Sequence, residues 1–258
     1  MIHKTTIIHP KAKLAKNVSV GPHTIIGEHV SIDENTKIGA NCLIDGCTTI
    51  GKDCEIFTGA VIGSITQDKK YKGGRALLKI GDRNKIREYA TINLSTDSKD
   101  RTLIGNDNLI MAYAHIAHNC KVGNNVTLVN ASTLAGYVVV EDNAVVGGLA
   151  AIHQFVRIGR LVIVGGCSKV VQDIIPYSMA DGHPAKIYGI NSVGLDRADI
   201  KPAIKLRIKK AFKILFSMKL NTKSAVAKIK QEIPECKEIF YLIKFINSSK
   251  RGIARARY

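Results

Sequence analysis

The sequence predicts a mainly β protein, a left-handed parallel β-helix of hexapeptide repeats followed by a small C-terminal all-α domain. Of the 28 positions met in steps of six from Ile8 to Val170, 25 are Ile, Leu or Val. A period of six belongs neither to a helix face, with a period of about 3.6, nor to an alternating strand, with a period of about 2. After the repeat, the 258-residue chain changes to helical spacing.

Each hexad of such a repeat supplies one short strand and one turn, and three hexads complete a coil. The aliphatic anchor of each hexad points inward and stacks on the anchors one coil away. Because the hexads run without a change of register from Ile8 to Val170, the repeat predicts about nine coils. The fourth residue after an anchor is small, as a narrow prism requires: Thr24, Val30, Thr36, Cys42, Thr48, Cys54, Ala60, Ala114, Cys120, Val126 and Ser132.

The repeat lapses at about 64–79 and again at 93–103, and each time it returns in the same register. At three of the 28 positions, the residue is not Ile, Leu or Val: these are Asp68, Gly74 and Ser98. Such lapses predict loops that project from a rigid scaffold, which is where binding groups usually lie.

We predict that residues 1–190 form the β-helix and residues 191–258 a basic helical domain, because Pro176 and Pro184 end the hexads. Pro202 and Pro234 are typical of helix starts, and Thr222 of an N-cap. The predicted apolar stripes are Ile204, Ile208, Phe212, Leu215 and Phe216, then Val226, Ile229 and Ile233, then Ile239, Leu242, Ile243 and Ile246.

The net charge of +17 is unevenly distributed. Residues 197–258 carry 17 Lys and Arg against 4 Asp and Glu, a balance of +13, whereas residues 1–196 carry 21 against 17, a balance of +4. A basic helical face is typical of contact with an acidic protein, a membrane surface or nucleic acid, or is simply solvated. Since no aromatic residues alternate with the lysines, nucleic acid is the least favoured partner.

Three features bear on the compartment. No apolar run approaches the roughly 18 residues of a membrane span, and the N-terminus lacks the apolar core of a signal peptide. The six cysteines have no metal or disulfide spacing, which predicts buried, reduced thiols. We therefore expect a cytoplasmic protein with no membrane span.

Candidate chemistry lies in the polar residues that interrupt the aliphatic columns. His115 and His118 flank the inward Ile116, so both imidazoles should stand outside the prism, and His153-Gln154 follows about two coils later. A neutral imidazole is suited to act as a general base. A zinc site like that of the gamma-class carbonic anhydrases is the alternative, but the His115–His118 spacing disfavours it and His153 lies too far along the axis.

Beyond the repeat, the chain contains an ordered set of more specific motifs. They are Gln67-Asp68-Lys69-Lys70-Tyr71, Ile80-Gly81-Asp82-Arg83-Asn84, His115-Ile116-Ala117-His118-Asn119-Cys120, Leu134-Ala135-Gly136, His153-Gln154-Phe155, Gly165-Gly166-Cys167-Ser168, Val171-Gln172-Asp173 and Gly189-Ile190-Asn191 followed by Gly194-Leu195. With these motifs, residues 2–194 resemble the acyl carrier protein–UDP-N-acetylglucosamine O-acyltransferase family, the first enzymes of lipid A synthesis. The helical tail also matches that family in length and position.

The resemblance implies a homotrimer with active sites in clefts between adjacent prisms, and neither a metal nor a cofactor. It implies transfer of an (R)-3-hydroxyacyl chain from the phosphopantetheine thioester of acyl carrier protein to the glucosamine 3-hydroxyl of UDP-N-acetylglucosamine. The carrier protein is acidic, so the basic C-terminal helices would attract it.

The resemblance also implies residue roles. His118 matches the general base, Gly136 the oxyanion N–H donor, Asn119 a candidate orienter of the base, and Gly166 the position that limits acyl length. The positions that match the UDP-sugar site are Gln67, Asp68, Asn93, His115, Tyr137, His153, Gln154, Asn191 and Arg197.

Some positions depart from the family pattern. Asn119 stands where relatives carry Asp, Asn93 where a His is common, and Tyr137 where a His follows the Leu-Ala-Gly motif, while Ala198 replaces a second Arg beside Arg197. An amide offers an oxygen acceptor without the charge that stabilises an imidazolium. These departures leave N-acylation of a UDP-3-amino sugar open as an alternative.

Two other functions fit the sequence less well. The later UDP-3-O-acylglucosamine N-acyltransferase has similar repeats but carries an additional N-terminal uridine-binding domain, for which hexads that begin by residue 8 leave no room. A non-enzymatic structural β-helix, such as an ice-binding protein, would present a flat ladder of Thr. Here Thr occupies mostly the inward small position.

Overall fold

The computed structural model describes residues 1–218 and 220–256. Within this part of the chain, 27 strands are followed by four helices. Most strands are only two residues long, an outward residue and the aliphatic anchor after it, and each pairs in parallel with the strand one coil away. The molecule is therefore a left-handed parallel β-helix with a small helical region, as the hexads predict.

Three sheets form the faces of the prism, with strands numbered in chain order. The first sheet contains β1 (Ile7–Ile8), β4 (Ile25–Ile26), β7 (Leu43–Ile44), β10 (Val61–Ser64), β13 (Thr91–Asn93), β16 (His115–Ile116), β19 (Thr133–Leu134), β22 (Ala151–Ile152) and β25 (Lys169–Val170). The second sheet contains β2 (Lys13–Leu14), β5 (Ser31–Ile32), β8 (Cys47–Ile50), β11 (Leu77–Ile80), β14 (Thr102–Ile104), β17 (Lys121–Val122), β20 (Val139–Val140) and β23 (Arg157–Ile158). The third sheet contains β3 (Ser19–Val20), β6 (Lys37–Ile38), β9 (Glu55–Ile56), β12 (Lys85–Ile86), β15 (Leu109–Ile110), β18 (Thr127–Leu128), β21 (Val145–Val146), β24 (Ile163–Val164), β26 (Ser178–Gly182) and β27 (Ala185–Ile190).

Three edges join these sheets, and each is named here by one residue. The His118 edge follows strands of the first sheet, the Leu161 edge those of the second, and the Gly166 edge those of the third. The third residue after an anchor turns the chain with a positive φ, for example 57° at Asn119 and 55° at Leu161. The site residues can therefore be sorted by the edge on which they lie.

Two loops interrupt the stack without changing its register. The first lies between β10 and β11 and the second between β13 and β14. Ile50 pairs with Ile80 across the first loop, and Ile86 pairs with Ile110 across the second. Because a regular coil contains three hexads, these pairings leave an insertion of two hexads in the first loop and of one hexad in the second. Both insertions are whole numbers of hexads, so every anchor still points inward after each loop.

The core is a stack of aliphatic side chains. From Val20 to Val170, the anchors of the three sheets are buried, and the small residues predicted four positions after the anchors are buried with them. Of the six cysteines, three are buried (Cys42, Cys54 and Cys120), two are partly buried (Cys47 and Cys236), and Cys167 is exposed. The expectation of buried thiols is therefore wrong for Cys167, which lies on the Gly166 edge rather than at the inward position.

A hairpin closes the C-terminal end of the β-helix. Strand β26 continues the third sheet by pairing in parallel with β24, and β27 then pairs with β26 in antiparallel. The chain later returns to this end, where Asp173 bridges to Ile253 and Ile187 to Ala256. The repeat therefore extends past Pro176 for one further strand before it ends.

The helices are α1 (Ser192–Arg197), α2 (Pro202–Ser217), α3 (Thr222–Glu232) and α4 (Lys237–Asn247). As predicted, Pro202 is the first residue of α2, where a missing N–H costs no hydrogen bond. The N-cap of α3 is Asn221, whose side chain accepts from the Ser224 N–H at 2.8 Å. The prediction of Thr222 as the cap is therefore wrong by one residue, and α4 begins at Lys237 rather than at Pro234.

Helix α4 packs against the second sheet through polar and aromatic contacts. The Arg157 guanidinium lies 3.8 Å from the centre of the Phe245 ring and donates to the Phe245 carbonyl and the Ser248 hydroxyl. The Tyr241 hydroxyl donates to the Glu141 carboxylate. Across residues 1–218 and 220–256, no helix has the length and hydropathy needed to cross a membrane.

Candidate active site

The His118 edge carries most of the predicted catalytic residues in one column. His118, Gly136 and Gln154 are each the second residue after an anchor of the first sheet. Because those anchors pair in register, the three residues stack along the edge at about 4.8 Å per coil. In the sequence they are one coil apart, and the fold makes them neighbours.

The His118 imidazole is held from two sides. Its side chain is only 12% exposed, with Nε2 3.9 Å from Oδ2 of Asp68 in the first loop. Its ring meets that of Tyr137 edge-on, with the centroids 5.3 Å apart. The prediction that this side chain stands outside the prism is correct, but the loops keep it from being an ordinary surface residue.

The carboxamide of Asn119 fixes which nitrogen of His118 carries the proton. The Thr96 N–H donates to Oδ1 of Asn119 at 3.0 Å, and Nδ1 of His118 lies 3.0 Å from the same oxygen. A backbone N–H can only donate, so the group facing Thr96 must be the oxygen. Nδ1 of His118 is therefore the protonated nitrogen, and Nε2 keeps a free lone pair. This is the tautomer that a general base needs at Nε2.

Gly136 lies directly against the imidazole of His118. A Cβ at this position would be 2.4 Å from both Cε1 and Nε2 of His118, closer than any side chain tolerates. Its carbonyl accepts from the Phe155 N–H at 3.1 Å, whereas its own N–H has no hydrogen-bond partner in the part of the chain that the structure describes. A free N–H beside the base is the group that can stabilise a developing oxyanion.

Asp68 is presented by a tight turn in the first loop. Its Oδ1 accepts from the Lys70 N–H at 2.9 Å and its carbonyl from the Tyr71 N–H at 2.9 Å. These two bonds leave Oδ2 facing His118. Gln67, the residue before it, is exposed.

His115 and Asn93 lie near the base but face other partners. Nδ1 of His115 is 2.7 Å from Oγ1 of Thr91, and burial lowers the pKa of His115, which favours a neutral ring. Asn93 is 5% exposed and donates to the Ile65 carbonyl at 3.3 Å. Its Oδ1 is buried without a partner among residues 1–218 and 220–256.

Two coils further along the same edge, towards the C-terminal end of the β-helix, His153 and Gln154 are exposed to solvent. Nδ1 of His153 is 3.2 Å from the Gln154 carbonyl. Phe155 stacks on Tyr137, with the ring centroids 4.9 Å apart and the planes at 16°. This aromatic pair lines the edge between the base and the His153-Gln154 pair.

Three predicted site residues lie away from this column. Gly166 gives its name to another edge, and Asn191 donates to the Leu161 carbonyl at 2.9 Å on the third. The Asn191 carboxamide is also the N-cap of α1, since its Oδ1 accepts from the Gly194 N–H at 2.9 Å. Arg197 is exposed at the end of α1. Within a single copy of the chain, Gly166, Asn191 and Arg197 therefore do not lie beside His118.

Among the residues described by the structure, no group of three or more His, Cys, Asp or Glu side chains could hold a metal ion. His118 and His153 lie on the same edge but are separated by two coils, and His115 is part of strand β16 in the first sheet.

Comparisons with known proteins identify the family. A family model described as UDP-N-acetylglucosamine O-acyltransferase, domain 2, matches residues 173–254. A model for the bacterial transferase hexapeptide, six repeats, matches residues 101–136. The acyl-[acyl-carrier-protein]–UDP-N-acetylglucosamine O-acyltransferase of Thermodesulfovibrio yellowstonii is 51% identical over 255 residues, which is 98% of this chain and 99% of that protein. The chain belongs to the UDP-N-acetylglucosamine O-acyltransferase family.

Other members of the family agree over the full length. The O-acyltransferase of Janthinobacterium sp. (strain Marseille) is 48% identical, with 99% of each chain covered. The solved UDP-N-acetylglucosamine acyltransferase of Bacteroides fragilis superposes with a TM-score of 0.96 at 40% identity, covering 99% of this chain and 100% of the other. That of Francisella novicida gives a TM-score of 0.94 at 36% identity, covering 99% and 94%. The resemblance carried by the motifs and the predicted acyltransferase class are both confirmed.

The sequence did not reveal Thr96, which the structure brings into the site. Its hydroxyl donates to Asn119 at 3.1 Å and lies 3.2 Å from the Tyr137 hydroxyl. Thr96 lies in the second loop, where no period relates it to the coils. Only the path of that loop places it beside Asn119, which belongs to the coil that follows the loop.

Proposed function

We propose that this protein transfers an (R)-3-hydroxyacyl chain from acyl carrier protein to the glucosamine 3-hydroxyl of UDP-N-acetylglucosamine, in the first step of lipid A synthesis. The observation that carries the proposal is the His118 imidazole, whose Nδ1 faces Oδ1 of Asn119, packed against Gly136, whose N–H has no partner in the described part of the chain. Base and oxyanion donor are thus within a few ångströms of one point, as acyl transfer requires. The names of the full-length relatives supply the substrates.

The reaction then follows from the positions of the two groups. The acceptor oxygen attacks the thioester carbonyl carbon while Nε2 of His118 takes its proton. The oxyanion of the tetrahedral intermediate accepts from the Gly136 N–H. When the C–S bond breaks, the imidazolium returns the proton to the sulfur, which leaves the acylated sugar and the free carrier thiol. Asp68, 3.9 Å from Nε2, stabilises the transient positive charge.

The side chains around this centre fit the acceptor half of the site. Gln67, Asp68, Asn93, His115 and Tyr137 would contact the sugar, and His153 and Gln154 the nucleotide. The neutral ring of His115, favoured by burial, suits hydrogen bonding to a hydroxyl or amide rather than to a charged group.

The second candidate acceptor is a UDP-3-amino sugar. Asn119 offers the base an amide and not a carboxylate, so no charge lies at Nδ1 to stabilise the imidazolium. A neutral amine is a better nucleophile than a hydroxyl and asks less of the base. The same Nε2 and Gly136 N–H would serve either reaction.

A competition assay tests which of the two candidate acceptors the protein uses. The purified protein is incubated with (R)-3-hydroxyacyl carrier proteins of graded chain length and equal amounts of UDP-N-acetylglucosamine and its 3-amino analogue, and the products are identified by mass spectrometry. An O-acyl product is the expected result, and N-acylation alone would establish the alternative acceptor. His118→Ala protein is the control for uncatalysed transfer. No product with either acceptor would overturn the proposal.

The same assay tests Gly166 as the position that limits acyl length. A Cβ at Gly166 would lie 3.2 Å from the Gly148 carbonyl oxygen, and Gly148 lies one coil below on the same edge. Because neither glycine has a side chain, Gly166→Met would add bulk at this edge and should shorten the preferred acyl chain by several carbons. Unchanged chain selection would remove Gly166 from this role.

We further propose a homotrimer whose sites lie between adjacent prisms. The predicted site residues are spread over three edges of one chain, so His118 of one copy must meet Asn191, Arg197 or Gly166 of another. The Gly166 edge also exposes apolar side chains suited to such contact: Tyr89 is 51% exposed, Tyr113 63% and Leu149 65%. Apolar exposure in one row is typical of an interface.

Subunit mixing tests this arrangement. His118→Ala and Arg197→Ala proteins should each be inactive or weakly active alone. Coexpressed as mixed oligomers, they should regain activity, because some interfaces then pair an intact His118 with an intact Arg197. A mixture no more active than its components would contradict a shared site, and light scattering of the wild-type protein checks the trimer.

We propose that the helical domain docks acyl carrier protein. A cleft of about 640 Å³ between α3 and α4 is lined by Ile233, Ile239 and Ile243, with Lys230 and Lys244 also among its lining residues. An apolar floor with basic groups beside it suits an acidic helical protein. The balance of +13 over residues 197–258 would steer the encounter.

Salt and charge variants test the docking. The KM for the carrier protein should rise with ionic strength and should rise several-fold in Lys230→Ala/Lys244→Ala, with kcat little changed. Lys37→Ala, an exposed lysine of β6, is the matched control. A KM that is indifferent to both salt and the double variant would exclude this surface.

We also propose that the reaction needs no cofactor and takes place in the cytoplasm. The first follows from the donor, which is already an activated thioester, and from a base and an oxyanion donor that the chain itself supplies. The second is supported by free cysteines and by a phosphopantetheine-bound substrate.

A further inference from the structure

Thr96 connects the second loop to the catalytic base through Asn119. Its N–H and its hydroxyl both donate to Oδ1 of Asn119, at 3.0 and 3.1 Å. Because the hydroxyl has one proton and gives it to Asn119, the Tyr137 hydroxyl 3.2 Å away must donate to Thr96. The result is a chain of donors from Tyr137 through Thr96 to Asn119, with Nδ1–H of His118 meeting the same oxygen from the other side.

The chain matters because an amide has two different ends. If the Asn119 carboxamide turned over, its NH₂ group would face Nδ1 of His118, which would then have to accept. The proton would move to Nε2, and the imidazole could no longer act as a base there. Asn119 is 2% exposed and its Nδ2 has no partner among the residues that the structure describes. Nothing on the Nδ2 side therefore holds the working orientation.

We propose that Thr96 is a positioning residue that keeps Oδ1 of Asn119 towards His118 and thereby keeps Nε2 of His118 unprotonated. The two donors of Thr96 perform the task that a carboxylate performs without help, since both oxygens of a carboxylate accept. The inference rests on the proposed role of His118 as the base. It assigns the loop at 93–103 a part in the chemistry besides covering the site.

A double-mutant cycle separates positioning from packing. Thr96→Val keeps the shape of the side chain but removes its hydroxyl, and it should lower kcat about 3- to 10-fold with little change in KM, the range of one hydrogen bond. Thr96→Ser should restore the rate. In the Asn119→Asp background, Thr96→Val should change kcat less than about twofold, because a carboxylate cannot present a donor. Ser98→Ala, an exposed residue of the same loop, is the control.

The tautomer can also be observed without any substrate. In protein labelled with ¹⁵N-histidine, the ring nitrogens of His118, assigned by comparison with His118→Ala, should show a proton on Nδ1. Thr96→Val removes the hydroxyl donor but keeps the backbone N–H donor, so it should shift both resonances part of the way towards a mixture of tautomers. Thr96→Val/Asn119→Asp should not show a proton confined to Nε2. If Thr96→Val changes the His118 tautomer but the wild-type protein transfers no acyl chain, the positioning role of Thr96 is supported and the proposed reaction is rejected.

Two results would overturn the inference. One is an equal loss of kcat on Thr96→Val in both backgrounds, which a merely structural role predicts. The other is an unaltered His118 spectrum in Thr96→Val at neutral pH.

Discussion

The β-helix and the helical domain bury their apolar side chains in different patterns. In the β-helix, stability comes from a column of anchors repeated at every sixth position, and the outward residues are free to vary. In the helical domain, α2, α3 and α4 each bury one apolar stripe, for example Ile239, Leu242 and Ile246 of α4, and most of their lysines are exposed. The charge follows this division, with +4 on residues 1–196 and +13 on residues 197–258.

The difference separates chemistry from recognition. The rigid stack of the β-helix can hold His118 and Gly136 against one another to within a fraction of an ångström, which a base and an oxyanion donor require. The helical domain offers a basic surface with an apolar cleft, which suits a transient protein partner. Variants of the His118 edge should therefore change kcat, and variants of the cleft between α3 and α4 should change the KM for the carrier.

Replacement of the base is expected to have the largest effect. His118→Ala should lower kcat by about 10²- to 10⁴-fold, the range of a general base, while the protein stays folded and still binds the carrier. Steady-state kinetics and circular dichroism provide the measurements, with His3→Ala, an exposed histidine of the first coil, as the control. Full activity of His118→Ala would place the chemistry elsewhere.

Loss of one anchor should damage the β-helix as a whole. Leu128 is fully buried in β18, and Leu128→Ala should lower the free energy of unfolding by about 2–5 kcal/mol, through lost burial and a cavity. Leu206 of α2 is 67% exposed, so Leu206→Ala should change it by less than about 0.5 kcal/mol. Urea denaturation measures both, and similar values for the two would mean that the column of anchors does not dominate stability.

A methyl group at Gly136 should separate fold from function. The added Cβ would overlap the His118 ring at 2.4 Å, and a displacement of the base by about 1 Å can cost about 10²-fold in rate. Gly189→Ala is the control, because a Cβ there would meet only Cε of Met179 at 3.8 Å. Since a small shift of the His118 side chain accommodates the methyl group, the melting temperature of Gly136→Ala should stay close to that of the wild type.

The contact between the two regions should have a small, pH-dependent effect. Burial raises the pKa of the Glu141 carboxyl, and hydrogen bonds from Tyr241 and the Arg160 N–H only partly oppose it. A carboxyl whose pKa is higher in the folded than in the unfolded chain favours folding at low pH, and this contribution is lost as pH rises through the folded pKa. Relative to Glu141→Gln, the wild type should therefore become less stable as pH increases from about 4.5. Urea denaturation at several pH values measures this difference, and a difference that is constant with pH would contradict the prediction.

Much of this architecture could be predicted from the sequence, because hexads are a local code. An inward aliphatic residue at every sixth position requires one strand per hexad whatever lies elsewhere, and insertions of whole hexads in the two loops preserve it. The same repeat predicted that His115 and His118, on either side of the inward Ile116, point out of the prism. The cap of α3 was misjudged by one residue because Asn221 and Thr222 are both good cap formers, and local pattern does not choose between them.

The sequence by itself determined the repeat, the outward direction of the histidines and the position of the basic charge, since each depends only on spacing and composition. The tertiary structure alone decided which loop residues reach the base. Asp68 and Thr96 come well before His118 and Asn119 in the chain, in segments without a period, and only the folded paths of the two loops bring them to 3.9 and 3.0 Å. The tautomer of His118 was decided there too, because it depends on a backbone N–H that no residue pattern could have placed.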